Sequence, residues 1–177
     1  MGFSVKQDLW ERLAASEKKI LLYGMGNGAD KILDVCRSKG ITVSGCFASD
    51  GFARGHSYRG FPVRTWSETK ALYGAENVTV LLSFGTSRED VLANIRRISQ
   101  EAELYAPDVP VCGDALFDVS FFVSHKTEFG KARGILADEQ SKKVFDNVIN
   151  YKLSGDINYL FKCDSEIDET FNEILNA

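Results

Sequence analysis

A short apolar segment, a glycine-rich turn and a helical segment follow one another near the N-terminus, and this order constrains the fold most. The run "KILLY" leads directly into "GMGNGADK", residues 24 to 31, and apolar residues then recur at helical spacing from Ile32 to Cys36. A tight glycine turn between a buried strand and a helix is typical of the first unit of a doubly wound α/β sheet. The sequence therefore predicts an α/β fold that begins at about residue 19.

Four further segments predict strands, and helical segments separate them. The strand segments are "ITVSGCFA", "FPV", "NVTVLLSF" and "ELYAPD", and Pro62 favours an edge position for "FPV". Helices are expected to begin at Asp30, at Thr65 and at Ser87. Because strands and helices alternate from residue 19 to about 107, we expect a Rossmann-like, mainly parallel sheet of about five strands flanked by helices.

The ends of the chain differ from this α/β region. Ser4 and Gln7 form a capping-box pattern, which predicts a helix within residues 1–18. After residue 112 the strand pattern stops, and the remaining segments carry helical periodicity. We therefore expect an N-terminal helix (1–18), a Rossmann-like domain (19–112) and a C-terminal helical extension (113–177).

Charge and composition exclude several classes of function. The net charge is −4 and the isoelectric point about 5.3, which argues against a nucleic-acid partner. No apolar run approaches the length of a membrane span, so no membrane association is expected. The four cysteines have neither CxxC nor zinc-site spacing, which predicts reduced thiols, no metal site and a cytoplasmic location: Cys36, Cys46, Cys112 and Cys163.

The glycine turn is the first candidate binding site. Gly24, Gly26 and Ala29 match the G-x-G-x-x-G/A fingerprint of dinucleotide-binding folds, in the strand–turn–helix context that the fingerprint requires. The second glycine lets backbone N–H groups approach a phosphate at the start of the helix. We expect Gly26, Asn27 and Gly28 to supply these donors to a nucleotide or nucleotide-sugar, and Ala29 to pack the helix on the strand.

Residues after two other strands complete this candidate site. Asp50 follows the second strand, where a carboxylate can accept hydrogen bonds from ribose hydroxyls. Gly85 and Thr86, in "SFGTS", end a strand at the same edge of the sheet, and Thr86 offers a hydroxyl contact. Four basic residues follow the second strand and could reach an anionic ligand at this edge, although such a group is more typical of a solvated surface loop: Arg54, His56, Arg59 and Arg64.

Other interpretations remain open at this stage. The glycine turn is also compatible with a purely structural role, because Asp30 in the first turn of the helix opposes a bound phosphate. His125 has no partner at triad or metal spacing, so no catalytic residue is predicted. The chain could instead be a stand-alone nucleotide-binding regulator or oxidoreductase, or a structural module that forms a homo-oligomer.

Five segments together resemble the N-terminal region of FkbM-family methyltransferases. In chain order they are "LYGMGNGADKILD", "VSGCFASDGFARGHSYRGFPV", "LLSFGTSREDVLANI", "ELYAPDVPVCGDALFD" and "SKKVFDNVINYKLSGDINYL". The resemblance implies a Rossmann-like domain and a helical connector that precede a second, S-adenosylmethionine-dependent domain. That domain would open with its own strand and glycine turn, and none follows residue 113 in this sequence.

The resemblance thus implies a methyltransferase parent that acts on a sugar or other small acceptor. It implies that S-adenosylmethionine binds to a catalytic domain outside this chain, which would be this chain's partner in cis. No catalytic residue can be carried over to this sequence. The expected function is a non-catalytic accessory domain that binds a nucleotide or nucleotide-sugar, or that mediates assembly.

Overall fold

A six-stranded sheet forms the centre of the molecule. The computed structural model describes residues 7–49, 52–53, 55–110, 112–113 and 115–163. The strands are β1 (Lys19–Tyr23), β2 (Val43–Ala48), β3 (Ser57–Tyr58), β4 (Phe61–Thr65), β5 (Val78–Leu82) and β6 (Glu103–Tyr105). Their order is β3-β4-β2-β1-β5-β6, and each neighbouring pair is parallel except β3–β4. The predicted mainly parallel, Rossmann-like sheet is confirmed, with one strand more than the expected five.

The additional strand belongs to a hairpin that the sequence predicted as loop. Ser57 pairs with Pro62 and Tyr58 with Phe61. The two turn residues, Arg59 and Gly60, have φ angles of 50° and 86°, and two-residue hairpins of this kind need positive φ at both positions. A two-residue strand is too short to show alternating hydrophobicity, so periodicity could not reveal it.

Helices cover both faces of the sheet. The first four are α1 (Leu9–Ala14), α2 (Asn27–Ser38), α3 (Trp66–Tyr73) and α4 (Glu89–Glu101), and a short 3₁₀ turn (Ala75–Asn77) precedes β5. Side chains alternate along a strand, so Ile20 and Leu22 pack towards α1 and α2. Leu21 and Tyr23 pack towards α3 and α4 on the other face. The result is a three-layer arrangement whose core lies on the two sides of β1.

Two helix starts agree with capping chemistry, but one of them is not at the predicted residues. Thr65 caps α3, since its side chain accepts from the N–H of Glu68 and the Glu68 carboxylate accepts from the N–H of Thr65. At α1 the capping box is formed by Asp8 and Glu11. The predicted box at Ser4 and Gln7 is therefore wrong as a helix start, because Gln7 lies outside the helix; Ser4 lies outside the described residues.

The start of α4 also differs from expectation. The helix begins at Glu89, with Arg88 rather than Ser87 at the N-cap position and no side-chain cap. The hydroxyl of Thr86 accepts from the Arg88 N–H at 3.1 Å. This bond ties the segment after β5 to the start of α4, one residue later than the sequence suggested.

The C-terminal region is helical, as predicted, as far as residue 163, where the described part of the chain ends, and it contacts the end of the sheet. Its helices are α5 (Val119–Ser124), α6 (Lys126–Gly134), α7 (Glu139–Ser154) and α8 (Asn158–Phe161). Gly155 ends α7 with a φ of 66°, and its carbonyl accepts from the Ala106 N–H at 2.7 Å. Lys152 lies 2.8 Å from Asp108. The division into 1–18, 19–112 and 113–177 stays a prediction.

Membrane insertion through a helix has no support in the part of the chain that the structure describes. None of its helices combines the length and the apolar character that crossing a bilayer demands.

Candidate ligand-binding site

The strand order creates a switch point at the carboxyl end of β1. From this central strand the chain proceeds through α2 to β2 on one side, whereas β5 and β6 lie on the other side. In open α/β sheets, ligands bind outside the carboxyl ends of the strands where the order reverses. Two segments meet there in this molecule: residues 24–28 after β1, and residues 83–88 after β5.

The glycine turn after β1 needs two of its glycines for their backbone conformation. Gly24 and Gly26 have φ angles of 104° and 103°, which side-chain-bearing residues rarely adopt. A Cβ at Gly24 would also lie 2.5 Å from the Phe84 ring, whereas a Cβ at Gly26 would meet no atom within 4 Å. Gly24 is thus required by space and conformation, and Gly26 by conformation alone.

The next two residues bring α2 against the end of β5. A Cβ at Gly28 would overlap the carbonyl oxygen of Ser83, and Ala29 is fully buried. The close helix-to-strand approach that the fingerprint assigns to Ala29 therefore also depends on Gly28. Ser83 is fixed in turn, because its N–H and its hydroxyl both donate to the carbonyl of Tyr23.

The N-terminus of α2 lacks a capping side chain. Its N-cap residue is Gly26, and no side-chain cap bond is made there. Residues 25–27 are exposed, and Gly28 is half-buried. The first N–H groups of a helix have no intrahelical acceptor, and together with the helix dipole they favour an anion.

The β3–β4 hairpin clamps this turn from outside through one carboxylate. The Tyr58 hydroxyl lies 2.5 Å from an Asp30 oxygen and 3.1 Å from the Gly26 carbonyl oxygen. The Arg59 Nε donates to the same Asp30 oxygen at 2.7 Å. Arg59 and then Tyr58 stabilise the charged carboxylate and lower the pKa of Asp30 to about 2. The Asp30 charge that was expected to oppose an anion is therefore neutralised by Arg59.

Two cavities flank the segment after β5. The Tyr23 cavity, of about 320 Å³, is lined by Tyr23, Gly24, Met25, Ala48, Ser49, Phe52, Phe84, Gly85, Thr86, Arg88 and Val91. The tail cavity, of about 330 Å³, is bounded by Gly28 and by the C-terminal helices, with Tyr151, Ile157, Leu160 and Phe161 among its lining. Phe84, Gly85 and Thr86 contribute to both cavities, so this segment separates them.

Polar groups in the Tyr23 cavity are few. The Tyr23 hydroxyl and the Ser49 hydroxyl lie 2.7 Å apart. Arg88 makes two bonds to Asp90, of 3.1 and 2.7 Å, and the arginine lowers the pKa of that carboxyl. Both partners are largely exposed, and exposed ion pairs contribute little. Arg88 can therefore exchange Asp90 for a bound anion at small cost.

The predicted site residues fall into three groups. Gly24, Gly85 and Thr86 line the Tyr23 cavity, and Gly28 lines the tail cavity. Gly26 and Asn27 form the exposed turn between the strand and the helix, and Ala29 lies in the core beneath it. Asp50 lies outside the described residues.

Sequence analysis missed three side chains at this edge. Tyr23 is the last residue of β1, Ser49 directly follows β2, and Arg88 directly precedes α4. Their positions beside the glycine turn follow from the strand order, which brings the ends of β1, β2 and β5 together. His125 lies in the C-terminal helices, where its ring stacks on Phe121 at 4.3 Å between centroids.

Comparison with known proteins gives one informative likeness. No protein-family model matches the chain, and no curated protein matches it in sequence. The fold is similar to an FkbM methyltransferase. The crystal structure of methyltransferase FkbM from Methylobacillus flagellatus KT superposes with a TM-score of 0.55 at 15% sequence identity. The match covers 80% of this chain and 40% of that chain. The likeness shows a shared fold, and this chain spans less than half of the FkbM protein's length.

Proposed function

We propose that this chain is a ligand-binding accessory region of an FkbM-like methyltransferase, and that its switch-point crevice holds the phosphates of a nucleotide or nucleotide-sugar. One observation carries the proposal. An uncapped helix N-terminus follows two glycines with positive φ, at the carboxyl edge where the strand order reverses and beside two cavities. These are the features with which doubly wound folds bind phosphates.

Each residue in the crevice has a modest proposed role. The N–H groups of Gly26, Asn27 and Gly28 donate to phosphate oxygens. The Thr86 hydroxyl accepts from the Arg88 N–H, and its proton, for which the described residues offer no acceptor, is proposed to donate to the ligand. The Arg88 guanidinium supplies positive charge at the edge of the Tyr23 cavity. Asp50, which lies outside the described residues, is proposed to accept from ribose hydroxyls.

The charged groups beside the crevice favour binding over acid–base chemistry. Asp30 and Asp90 are each paired with an arginine, and both pairings lower the pKa of the carboxyl. Carboxylates of this kind are poor proton acceptors near neutral pH. This supports a non-catalytic role for the region, with S-adenosylmethionine bound by a further domain of the parent enzyme.

Gly85 allows a test of the binding proposal that leaves the fold undisturbed. A Cβ at Gly85 meets no atom within 4 Å, and its φ is not in the left-handed range. Gly85→Glu places a negative charge between the two cavities, and Gly85→Gln places a neutral side chain of the same size there. We expect calorimetry to show binding of UDP-glucose or NAD to the wild-type chain and to Gly85→Gln. A like charge within several ångströms makes binding to Gly85→Glu about tenfold weaker or more.

Two results contradict the proposal. The phosphate site is wrong if neither UDP-glucose nor NAD binds, or if Gly85→Glu and Gly85→Gln bind equally. The non-catalytic role is wrong if S-adenosylmethionine binds this chain and the Gly85→Glu change alters its affinity.

A further inference from the structure

A pair of hydroxyl groups, those of Tyr23 and Ser49, lines the Tyr23 cavity. Tyr23 is only 1% exposed. Its ring stacks on Phe47 at 4.8 Å and meets Phe84 edge-on at 5.1 Å. These contacts fix the ring at the end of β1, so that its hydroxyl is held 2.7 Å from that of Ser49.

Counting protons shows what this pair can still do. Each hydroxyl group carries one proton, and each oxygen has lone pairs that accept. One proton is used in the bond between Tyr23 and Ser49. The bond between the two hydroxyls is the only side-chain hydrogen bond recorded for either residue within the described part of the chain, so the other proton can still be donated. A ligand atom in the Tyr23 cavity that accepts a hydrogen bond would satisfy it.

The rest of the cavity is suited to a flat apolar group. Phe84 lines it together with Met25 and Phe52, which are 37% and 63% exposed. Aromatic and apolar walls with a few polar groups are typical of ligand pockets. Of the described residues that line this cavity, Arg88 alone carries a positive charge.

We propose that the Tyr23 cavity holds the base of the bound nucleotide, and that the Tyr23–Ser49 pair donates a hydrogen bond to an acceptor atom on that base. The proposal rests on the proposed phosphate site, because the glycine turn that borders this cavity would hold the phosphates. The hydroxyl pair then selects for a base with an oxygen or ring nitrogen at the depth of the cavity. Ribose 5-phosphate has no base and therefore does not make this hydrogen bond.

The test compares ligands with and without a base. Binding of UMP, AMP and ribose 5-phosphate is measured by calorimetry for the wild type, Tyr23→Phe and Ser49→Ala. Tyr23→Phe retains the ring and its contacts with Phe47 and Phe84, and Tyr105→Phe is the control. This control variant removes the Tyr105 hydroxyl, which accepts a hydrogen bond from Arg12 at 3.2 Å. Tyr105 lines neither the Tyr23 cavity nor the tail cavity.

We expect the wild type to bind at least one of the two nucleotides more tightly than ribose 5-phosphate. Tyr23→Phe and Ser49→Ala each reduce the affinity for that nucleotide about fivefold, which is equivalent to about 1 kcal/mol for one hydrogen bond. The same two variants do not change the affinity for ribose 5-phosphate, and Tyr105→Phe does not change the affinity for either ligand. Saturation transfer from the protein to the base protons falls in the same two variants.

Each remaining outcome overturns the assignment. If a nucleotide binds and Gly85→Glu weakens it, while Tyr23→Phe and Ser49→Ala do not, the phosphate site stands and the base lies elsewhere. If ribose 5-phosphate loses affinity to the same extent as the nucleotide, the pair does not contact the base. If no nucleotide binds, this assignment and the proposed function both fail.

Discussion

Replacing Gly28 by alanine tests the geometry that brings α2 against the end of β5. The new Cβ would overlap the Ser83 carbonyl oxygen and lie 3.1 Å from the Ser83 carbonyl carbon. Ser83 cannot move aside freely, because its N–H and hydroxyl both bond to the Tyr23 carbonyl, at 3.1 and 3.0 Å. Overpacking of this kind costs about 1–3 kcal/mol. The higher helix propensity of alanine returns at most about 1 kcal/mol of that.

Two matched variants separate the steric effect from others. Gly26→Ala meets no atom within 4 Å but keeps a φ of 103°, so it isolates backbone strain, roughly 1–3 kcal/mol. Gly85→Ala causes neither steric overlap nor backbone strain, and we expect it to change the free energy of unfolding by less than about 0.5 kcal/mol. Urea unfolding followed by circular dichroism measures the free energy of unfolding of all three. If Gly28→Ala is as stable as Gly85→Ala, α2 does not approach β5 as closely as described, and the account of the turn is wrong.

Three further predictions concern other parts of the molecule. Arg59 lowers the pKa of Asp30 to about 2 from 3.8, so the pair stabilises the fold above pH 4 and loses this contribution as the pH falls from about 4 to 2. Asp30→Asn should flatten the pH dependence of the urea midpoint in that window, and an unchanged slope contradicts the pairing. Burial raises the pKa of the Cys36 thiol to about 12, whereas Cys112 is exposed; a thiol reagent should label Cys112 in the native protein and Cys36 only after unfolding, and equal rates in the native state contradict this burial. Leu153 of α7 is 2% exposed and packs with Phe122 and Ile149, so Leu153→Ala should reduce the free energy of unfolding by about 2–5 kcal/mol, and a loss below 1 kcal/mol in urea unfolding would show that Leu153 is not buried between the C-terminal helices.

The fold was largely predictable because its longer elements have strong periodic patterns. "KILLY" and "NVTVLLSF" are mostly apolar and rich in aliphatic residues, as is typical of buried parallel strands, and they correspond to the interior strands β1 and β5. Thr65 with Glu68 specified a capping box that the structure contains. The β3–β4 hairpin was missed since its outer strand has two residues and its turn includes a non-glycine residue, Arg59, with positive φ.

The candidate site was predictable in its backbone and much less in its side chains. The glycine turn follows from local sequence, because the strand–glycine–helix order of residues 19–38 indicates a tight turn whatever its distant contacts are. Tyr23, Ser49 and Arg88 lie far apart in sequence and meet only through the strand order. The pairing of Arg59 with Asp30 likewise depends on a hairpin that sequence periodicity does not indicate. Sequence analysis therefore gave Asp30 a repulsive role that the structure removes.

Mapping backbone amide shifts during a nucleotide titration tests the central claim most directly. Isotope-labelled protein is titrated with UDP-glucose, and the amide resonances of residues 24–28 and 83–88 are followed. We expect the largest, saturable shifts at the amides of Gly26, Asn27 and Gly28, and smaller shifts at Gly85 and Thr86. The shifts of residues 26–28 should be reduced in Gly85→Glu and retained in Gly85→Gln. Saturable shifts confined to other parts of the chain, or none at any concentration, would contradict a phosphate site at the switch point.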